Sequence, residues 1–250
     1  SAASDVYKRQ VENKGQWAMI FNESVKNDSN PVDKTEKFMF DGERLIQHII
    51  KQRYFEEEIS NEVNLSYSDN QVTVTTDYLT LVYTLNSEGY ASQCVYSLSS
   101  QNRIYQFSYS AEGYLTGIVE NIDNTEYSST SLTYENGDIT SISSKMNGLE
   151  NKFIYEPGEE SSTYHLPCLG LLEIHPLTFH IEALYAGLLG KDPRHFTIRS
   201  CPAGSNDEKT IYSYEFDKKG NPSRMICQTT YAGGQANYYP YTRNISVSFE

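Results

Sequence analysis

Three histidines supply the first chemistry to weigh. His165, His175 and His180 fall in one short segment beside Glu173 and Glu182, residue types that could ligate a metal ion or move protons. Their spacing opposes a zinc site. Helical zinc motifs set two histidines four residues apart, whereas His175 and His180 are five apart with Pro176 between them. They read as ordinary histidines near a helix start, and neither a metal nor a cofactor is expected. The carboxylates cluster as Glu56-Glu57-Glu58 and Glu159-Glu160. Glycoside hydrolysis needs two carboxyls facing across a cleft, so acids adjacent in a charge run read as a solvated face. The sequence holds neither a GxSxG nucleophile elbow nor a Gly-rich phosphate loop between a strand and a helix. No catalytic residue is assigned, and the balance favours a protein that is not an enzyme.

Two further groups could matter. Cys94, Cys168, Cys201 and Cys227 show no CxxC spacing. A Cys168–Cys201 bridge would staple the segment between them, and buried thiols are the alternative. Late in the chain, Tyr231, Tyr238, Tyr239 and Tyr241 surround Gly233-Gly234. That composition suits either an adaptable recognition surface or a plain hairpin loop.

The elements that would position these residues are mostly strands. One unit recurs: an apolar residue, a spacer, Tyr or Phe, a short polar turn, then an alternating aliphatic strand. It appears as FMFDGERLIQHI from Phe38, LSYSDNQVTVTT from Leu65, FSYSAEGYLTGIV from Phe107 and LTYENGDITSIS from Leu132. Looser copies begin at Tyr83 and Tyr212. Alternation such as Val72-Thr73-Val74-Thr75 puts one side of each strand in a core and the other in water. Asp41-Gly42, Glu88-Gly89, Glu112-Gly113 and Asn136-Gly137 supply the positive φ that tight turns need. From Phe38 to Leu132 successive units start 18 to 27 residues apart. That spacing predicts an all-β antiparallel meander of about a dozen strands of roughly six to eight residues, curled toward a barrel.

One segment departs from this pattern. Leu177, Ile181, Leu184, Tyr185 and Leu188 recur at helical spacing, Pro176 suits a first turn, and Gly190 with Pro193 makes a stop. One amphipathic helix is expected inside a helical insertion at about 166–192, packed in or across the curled sheet. Residues 11–250 are read as a single domain. Residues 1–10 look extraneous, because Asp5 to Gln10 resembles an in-frame translation of a transposon-end sequencing adaptor. On that reading, a signal peptide or lipoprotein cysteine would lie upstream of the chain.

The Tyr-x-Tyr hairpins with Gly turns, the apolar insertion ending in Leu188-Leu189-Gly190-Lys191 and the closing Tyr212-Ser213-Tyr214 hairpin resemble a known family. It is the bacterial domain-of-unknown-function family with a porin-like fold, common in secreted lipoproteins of gut commensals. The resemblance runs from about Lys37 to Glu250. It implies a barrel-like fold and an exported, lipid-anchored protein of the periplasm or cell surface, and it carries no functional residues.

A net charge of −13 and a pI near 4.8 oppose nucleic acid and anionic membrane surfaces as partners. Three readings follow. The first is an exported, non-enzymatic envelope protein that binds an unknown ligand or envelope protein. The second is an integral outer-membrane barrel, and the third a hydrolase with a site assembled from distant residues. If the histidines bind no metal, adding EDTA leaves the melting temperature of the purified chain unchanged. A clear fall on chelation would restore His165, His175 and His180 as ligands.

Overall fold

The computed structural model describes residues 15–26, 32–54, 56–98, 101–162, 166–205, 207–231 and 241–250. Among these, sixteen antiparallel strands follow one another in chain order. β1 (Gln16–Lys26), β2 (Val32–Asp41), β3 (Arg44–Tyr54) and β4 (Glu57–Tyr67) come first. β5 (Gln71–Thr75), β6 (Thr80–Leu85), β7 (Ala91–Leu98) and β8 (Gln101–Tyr109) continue the meander. β9 (Leu115–Ile122), β10 (Thr125–Glu135), β11 (Asp138–Met146) and β12 (Leu149–Ser161) lead to the insertion. β13 (His195–Pro202), β14 (Lys209–Phe216), β15 (Pro222–Thr230) and β16 (Tyr241–Phe249) follow it. Neighbours in sequence are neighbours in the ladder, and β1 also pairs with β16, so the meander closes into a barrel.

Strand number and length both exceed what the pattern predicts. Strands extend through stretches that carry no hydrophobic alternation: the first six residues of β4, Glu57 to Glu62, are all exposed, and its buried positions begin only at Val63. Polar strand ends are held by backbone pairing, which leaves no apolar signal in the sequence.

The chain divides into two compact units, one of Ser1–Val63 with Ile198–Glu250 and one of Asn64–Thr197. In the first, Met19, Phe38, Phe40 and Leu45 have at most 1% of their surface exposed. His48 stacks on Phe38 at 4.0 Å and reaches the Glu36 carboxylate at 3.2 Å. Arg243 and Glu23, on paired strands, form a two-pronged ion pair.

The second unit repeats one device. Gly89, Gly113 and Gly137 lie 24 residues apart, each at a hairpin turn with positive φ. The tyrosine after one glycine covers the next: a methyl on Gly113 would stand 3.2 Å from the Tyr90 ring, and one on Gly137 would stand 2.7 Å from the Tyr114 hydroxyl. Just beyond each turn the second strand carries one extra residue, a β-bulge. At two of these bulges a hydroxyl donates to the opposing strand, Ser92 to the Thr84 carbonyl at 3.1 Å and Thr140 to the Thr133 carbonyl at 3.2 Å. The first unit uses the same arrangement between Ser223 and the Glu215 carbonyl, at 3.2 Å.

The insertion is not one helix. It holds a four-residue α1 (Leu169–Leu172), a 3-10 turn at Leu177–Phe179 and a five-residue α2 (Ile181–Tyr185). His180, at φ −122° and ψ 28°, separates the last two pieces, and Gly187 in the left-handed region turns the chain soon after Tyr185. The helical period therefore survives only in part. Leu177, Tyr185 and Leu188 are buried, while Ile181 and Leu184 are half-buried. The four cysteines are buried thiols, and no disulfide staples this segment.

Its exit is clasped by backbone across three hairpin turns. The Ala91 N–H donates to the Leu188 carbonyl at 2.7 Å, Lys191 N–H to Gly113 at 2.9 Å and Arg194 N–H to Gly137 at 3.0 Å. Gly190 makes this approach possible, since a Cβ there would lie 2.7 Å from the Gly113 carbonyl oxygen. Gly190→Ala and Gly148→Ala provide a comparison, because both positions have positive φ but a Cβ placed on Gly148 would meet nothing within 4 Å. Gly148→Ala should cost roughly 1 to 2 kcal/mol in denaturant melts, the cost of the left-handed backbone. Gly190→Ala should cost about 1 to 3 kcal/mol more from overpacking against backbone that cannot yield.

Candidate functional site

The second unit carries one transverse row of polar side chains on its buried face. Tyr83 on β6 lies opposite Cys94 on β7, Cys94 opposite Tyr105 on β8, Tyr105 opposite Glu120 on β9, and Glu120 opposite Ser128 on β10. The last pairing depends on a bulge at Tyr127, which shifts the register by one residue. Tyr83, Cys94, Tyr105 and Glu120 have no exposed surface, and Ser128 has 2%. Alternation with Leu81, Phe107, Ile118 and Leu132 directs all five toward the core.

The insertion lays its histidines along this row. His180 Nδ1 lies 2.7 Å from the Tyr83 hydroxyl, and its ring meets Tyr105 and Phe107 edge-on, with centroids 4.4 and 5.3 Å away. His175 Nε2 bonds the Glu120 carboxylate, which also accepts from Ser128 Oγ at 2.8 Å and faces Arg103 at 3.4 Å. The His175 carbonyl accepts from Ser144 Oγ at 3.2 Å, fixing the backbone beneath the ring. The Arg103 guanidinium lies 5.4 Å from the Tyr96 ring centre and 5.7 Å from that of Phe179, so the half-exposed end of the row is aromatic and cationic.

Electrostatics divides the row into a sealed part and an open part. Burial pushes the His180 pKa down to about 3, so its ring is neutral at every physiological pH. Burial raises Cys94 to about 12, only partly offset by the Tyr83 hydroxyl, and the thiol is accordingly inert. For Glu120, burial acts to raise the pKa, but the bonds from His175 and Ser128 and the Arg103 charge outweigh it and hold the group below its ordinary value. His175 keeps 25% of its side chain exposed.

A histidine backed by a carboxylate is the base half of a hydrolytic triad. The nucleophile half would have to meet the histidine, whereas Ser128 donates to the carboxylate oxygen that His175 also bonds. The arrangement suits anchoring and recognition better than acyl transfer.

The structure separates the histidines that the sequence places together. His175 and His180 reach different partners, and His165 lies outside the described residues. Among the described residues no three His, Cys, Asp or Glu side chains converge in a way that could hold a metal ion. Glu173 is exposed and Glu182 half-buried in the first turn of α2. Of the Tyr-rich loop, Gly233, Gly234, Tyr238 and Tyr239 fall outside the described residues. Sequence reasoning missed Arg103, Tyr105, Glu120 and Ser128. The available signal was parity, since Ile118 and Glu120 share one face of a strand, and a carboxylate on a core face requires a partner.

His180 gives the unit an acid sensitivity. Its folded pKa lies below its unfolded value, so the unfolded state binds more protons as pH falls, and stability present near pH 7 declines from about 6.5 toward 3. Glu120, also lowered, acts in the same direction at the acid end. The loss should total several kcal/mol, at about 1.4 kcal/mol per pKa unit. Urea melts at stepped pH should therefore show a slope between about pH 6 and 4 that His180→Phe flattens. Equal slopes in both proteins would remove His180 as the cause.

Comparison with known proteins agrees with this architecture. A family model described as "Domain of unknown function (DUF4595) with porin-like fold" matches residues 38–224. The chain is similar to a crystallised porin-like protein from Bacteroides uniformis ATCC 8492, with TM-score 0.83, 26% identity and coverage of 93% of this chain and 96% of that one. A porin-like protein from Bacteroides vulgatus ATCC 8482 matches with TM-score 0.55 and 12% identity over 91% of this chain and 96% of the other, a likeness of fold alone. A search of curated proteins gives no match. The closed antiparallel meander and the match over residues 38–224 carry one conclusion: the chain belongs to the domain-of-unknown-function family with a porin-like fold.

Proposed function

We propose that this protein is an exported, water-facing barrel of the bacterial envelope that works by binding a ligand or another envelope protein and does not span the membrane through its strands. The observation that carries the reading is the polarity of the strand faces. On β5, Val72 and Val74 are buried, and Gln71 and Thr75 are exposed. On β10, Leu132 is buried between exposed Ser131 and Thr133. On β15, Met225 and Cys227 are buried, and Arg224, Gln228 and Thr230 exposed, while on β16 Ile245 and Val247 are buried, and Ser246 and Ser248 exposed. A membrane barrel needs the reverse, with apolar side chains outward over the hydrocarbon band.

The integral reading has its own support in the closed ladder and in strands of eight to eleven residues such as β8 and β10. No helix among the described residues is long and apolar enough to cross a membrane, which leaves crossing to be judged from the strands. Their outward serines, threonines and charges weigh against it. Porin-like neighbours from Bacteroides support an envelope location, and a lipid anchor would tether a water-facing barrel there. The half-exposed Arg103, Phe179 and His175 end of the polar row is the recognition surface on this reading.

The full chain should purify without detergent as a monodisperse species with a β-dominated circular dichroism spectrum. Recovery only in detergent micelles would overturn the water-facing reading in favour of the membrane barrel.

A further inference from the structure

Two Asn-Gly steps lie in the second unit, Asn136-Gly137 and Asn147-Gly148, and the sequence has no others. Their local settings match. Each forms the two-residue loop of a hairpin, the first between the paired residues Glu135 and Asp138, the second between Met146 and Leu149. All four residues are left-handed, at φ 53° and 87° in the first loop and 52° and 77° in the second. An asparagine before glycine invites one reaction, because glycine carries no side chain to keep its backbone nitrogen from the asparagine amide.

What differs is what each loop touches. The Gly137 carbonyl accepts from the Arg194 N–H at 3.0 Å, and the Asn136 carbonyl from Arg194 Nη1 at 3.3 Å. A Cβ on Gly137 would lie 2.5 Å from Arg194 Cδ. The next residue, Asp138, accepts from the His195 N–H and meets its Nδ1, both at 2.8 Å. Opening this loop therefore breaks the clasp on the insertion's exit. At the other loop Asn147 and Gly148 are exposed, and a Cβ on Gly148 would meet nothing within 4 Å. Among the described residues no hydrogen bond ties either of them to chain beyond its own hairpin. The strand that follows begins with four exposed residues, Leu149 to Lys152, so this loop opens at little cost.

We propose that Asn147 is a site of spontaneous deamidation and that the insertion's exit protects Asn136 from the same reaction. The inference goes beyond the binding function above and does not depend on it. The Gly148 nitrogen attacks Cγ of Asn147, a bond forms between them, and the Cγ–Nδ2 bond breaks. The proton lost from the Gly148 nitrogen passes through solvent to the departing amide, which leaves as ammonia. Water then opens the five-membered imide at one carbonyl or the other, giving aspartate or iso-aspartate. Both products place a carboxylate where the amide stood. In iso-aspartate the main chain also runs through the former side-chain carbon, so the loop between Met146 and Leu149 lengthens by one atom and departs from a two-residue turn. A tight turn fixes the backbone that must rotate for the ring to close, so each site reacts only as fast as its loop opens.

The folded full chain is held for days in mildly alkaline buffer, well below its melting temperature, beside a sample unfolded in guanidinium chloride, and each asparagine is read by peptide mapping and mass spectrometry. In the unfolded chain both Asn-Gly steps should convert at similar rates. In the folded chain Asn147 should convert, with iso-aspartate among the products. Asn136 should react at least about tenfold more slowly, since each 1.4 kcal/mol of added opening cost divides the rate by ten. Arg194→Ala, which removes the side chain packed on Gly137, should speed Asn136 and leave Asn147 unchanged. An unreacted Asn147 in the folded chain, or an Asn136 that keeps pace with it, would overturn the proposal. An Asn136 unmoved by Arg194→Ala would overturn the protection assigned to the clasp.

Discussion

An ionised carboxylate with no exposed surface constrains everything around it. Glu120 points into the core of its unit, where an unpaired charge would cost several kcal/mol and shift to its neutral form. It remains ionised because three neighbours from three different elements reach it: Ser128 from the adjacent strand, Arg103 from the other side and His175 from the insertion. Two of these belong to the sheet. The third does not, so the sheet is incomplete without the insertion, and the insertion has one seat. Apolar contacts around Leu177 and Leu188 would tolerate sliding, whereas a histidine bonded to a buried carboxylate fixes position and depth. The polar row therefore sets where the insertion sits.

At the turn end, the insertion is fixed by backbone rather than side chains. The carbonyls of Gly113 and Gly137 and the N–H of Ala91 are groups that ordinary hairpins leave to water, and here they bind the chain leaving the insertion. Only an all-but-bare strand approaches so closely, which is why Gly190 lies at the crossing. Side-chain bonds near His175 and backbone bonds near Gly190 hold the two ends of the segment, and α1 and α2 need little helical stability of their own.

The sequence made the hairpins legible because their signal is local. Alternation and an Asn, Asp or Glu before Gly require nothing beyond neighbouring residues, and the units from Phe38, Leu65, Phe107, Leu132 and Tyr212 each form a hairpin. The helix over 177–190 was misread because its apolar spacing arises from a folded-back segment that buries Leu177, Tyr185 and Leu188 in separate short pieces. A repeated apolar spacing reports burial, not continuity of a helix. The site was least legible. Glu120 and Ser128 are 8 residues apart, but His175 is 55 residues from the carboxylate it bonds, and no motif spans that interval. The hydroxyl at each bulge, three residues after glycine in Gly89-Ser92, Gly137-Thr140 and Gly220-Ser223, was present in the text, but its meaning emerges only once the register is known.

The tyrosine that covers the next hairpin's glycine restricts how such a chain can change length. Tyr90 serves Gly113 and Tyr114 serves Gly137 at a constant interval of 23 residues, so each turn is completed by the hairpin before it. Gain or loss of one residue within a strand would move the tyrosine off its glycine and turn every later side chain of that strand to the opposite face. Gain or loss of an entire hairpin would keep both relations. Viable indels in this stretch are thus quantised in whole repeats, and smaller ones are confined to the opposite-end connections such as Asp123-Asn124 and Asn147-Gly148, where no tyrosine must find a partner.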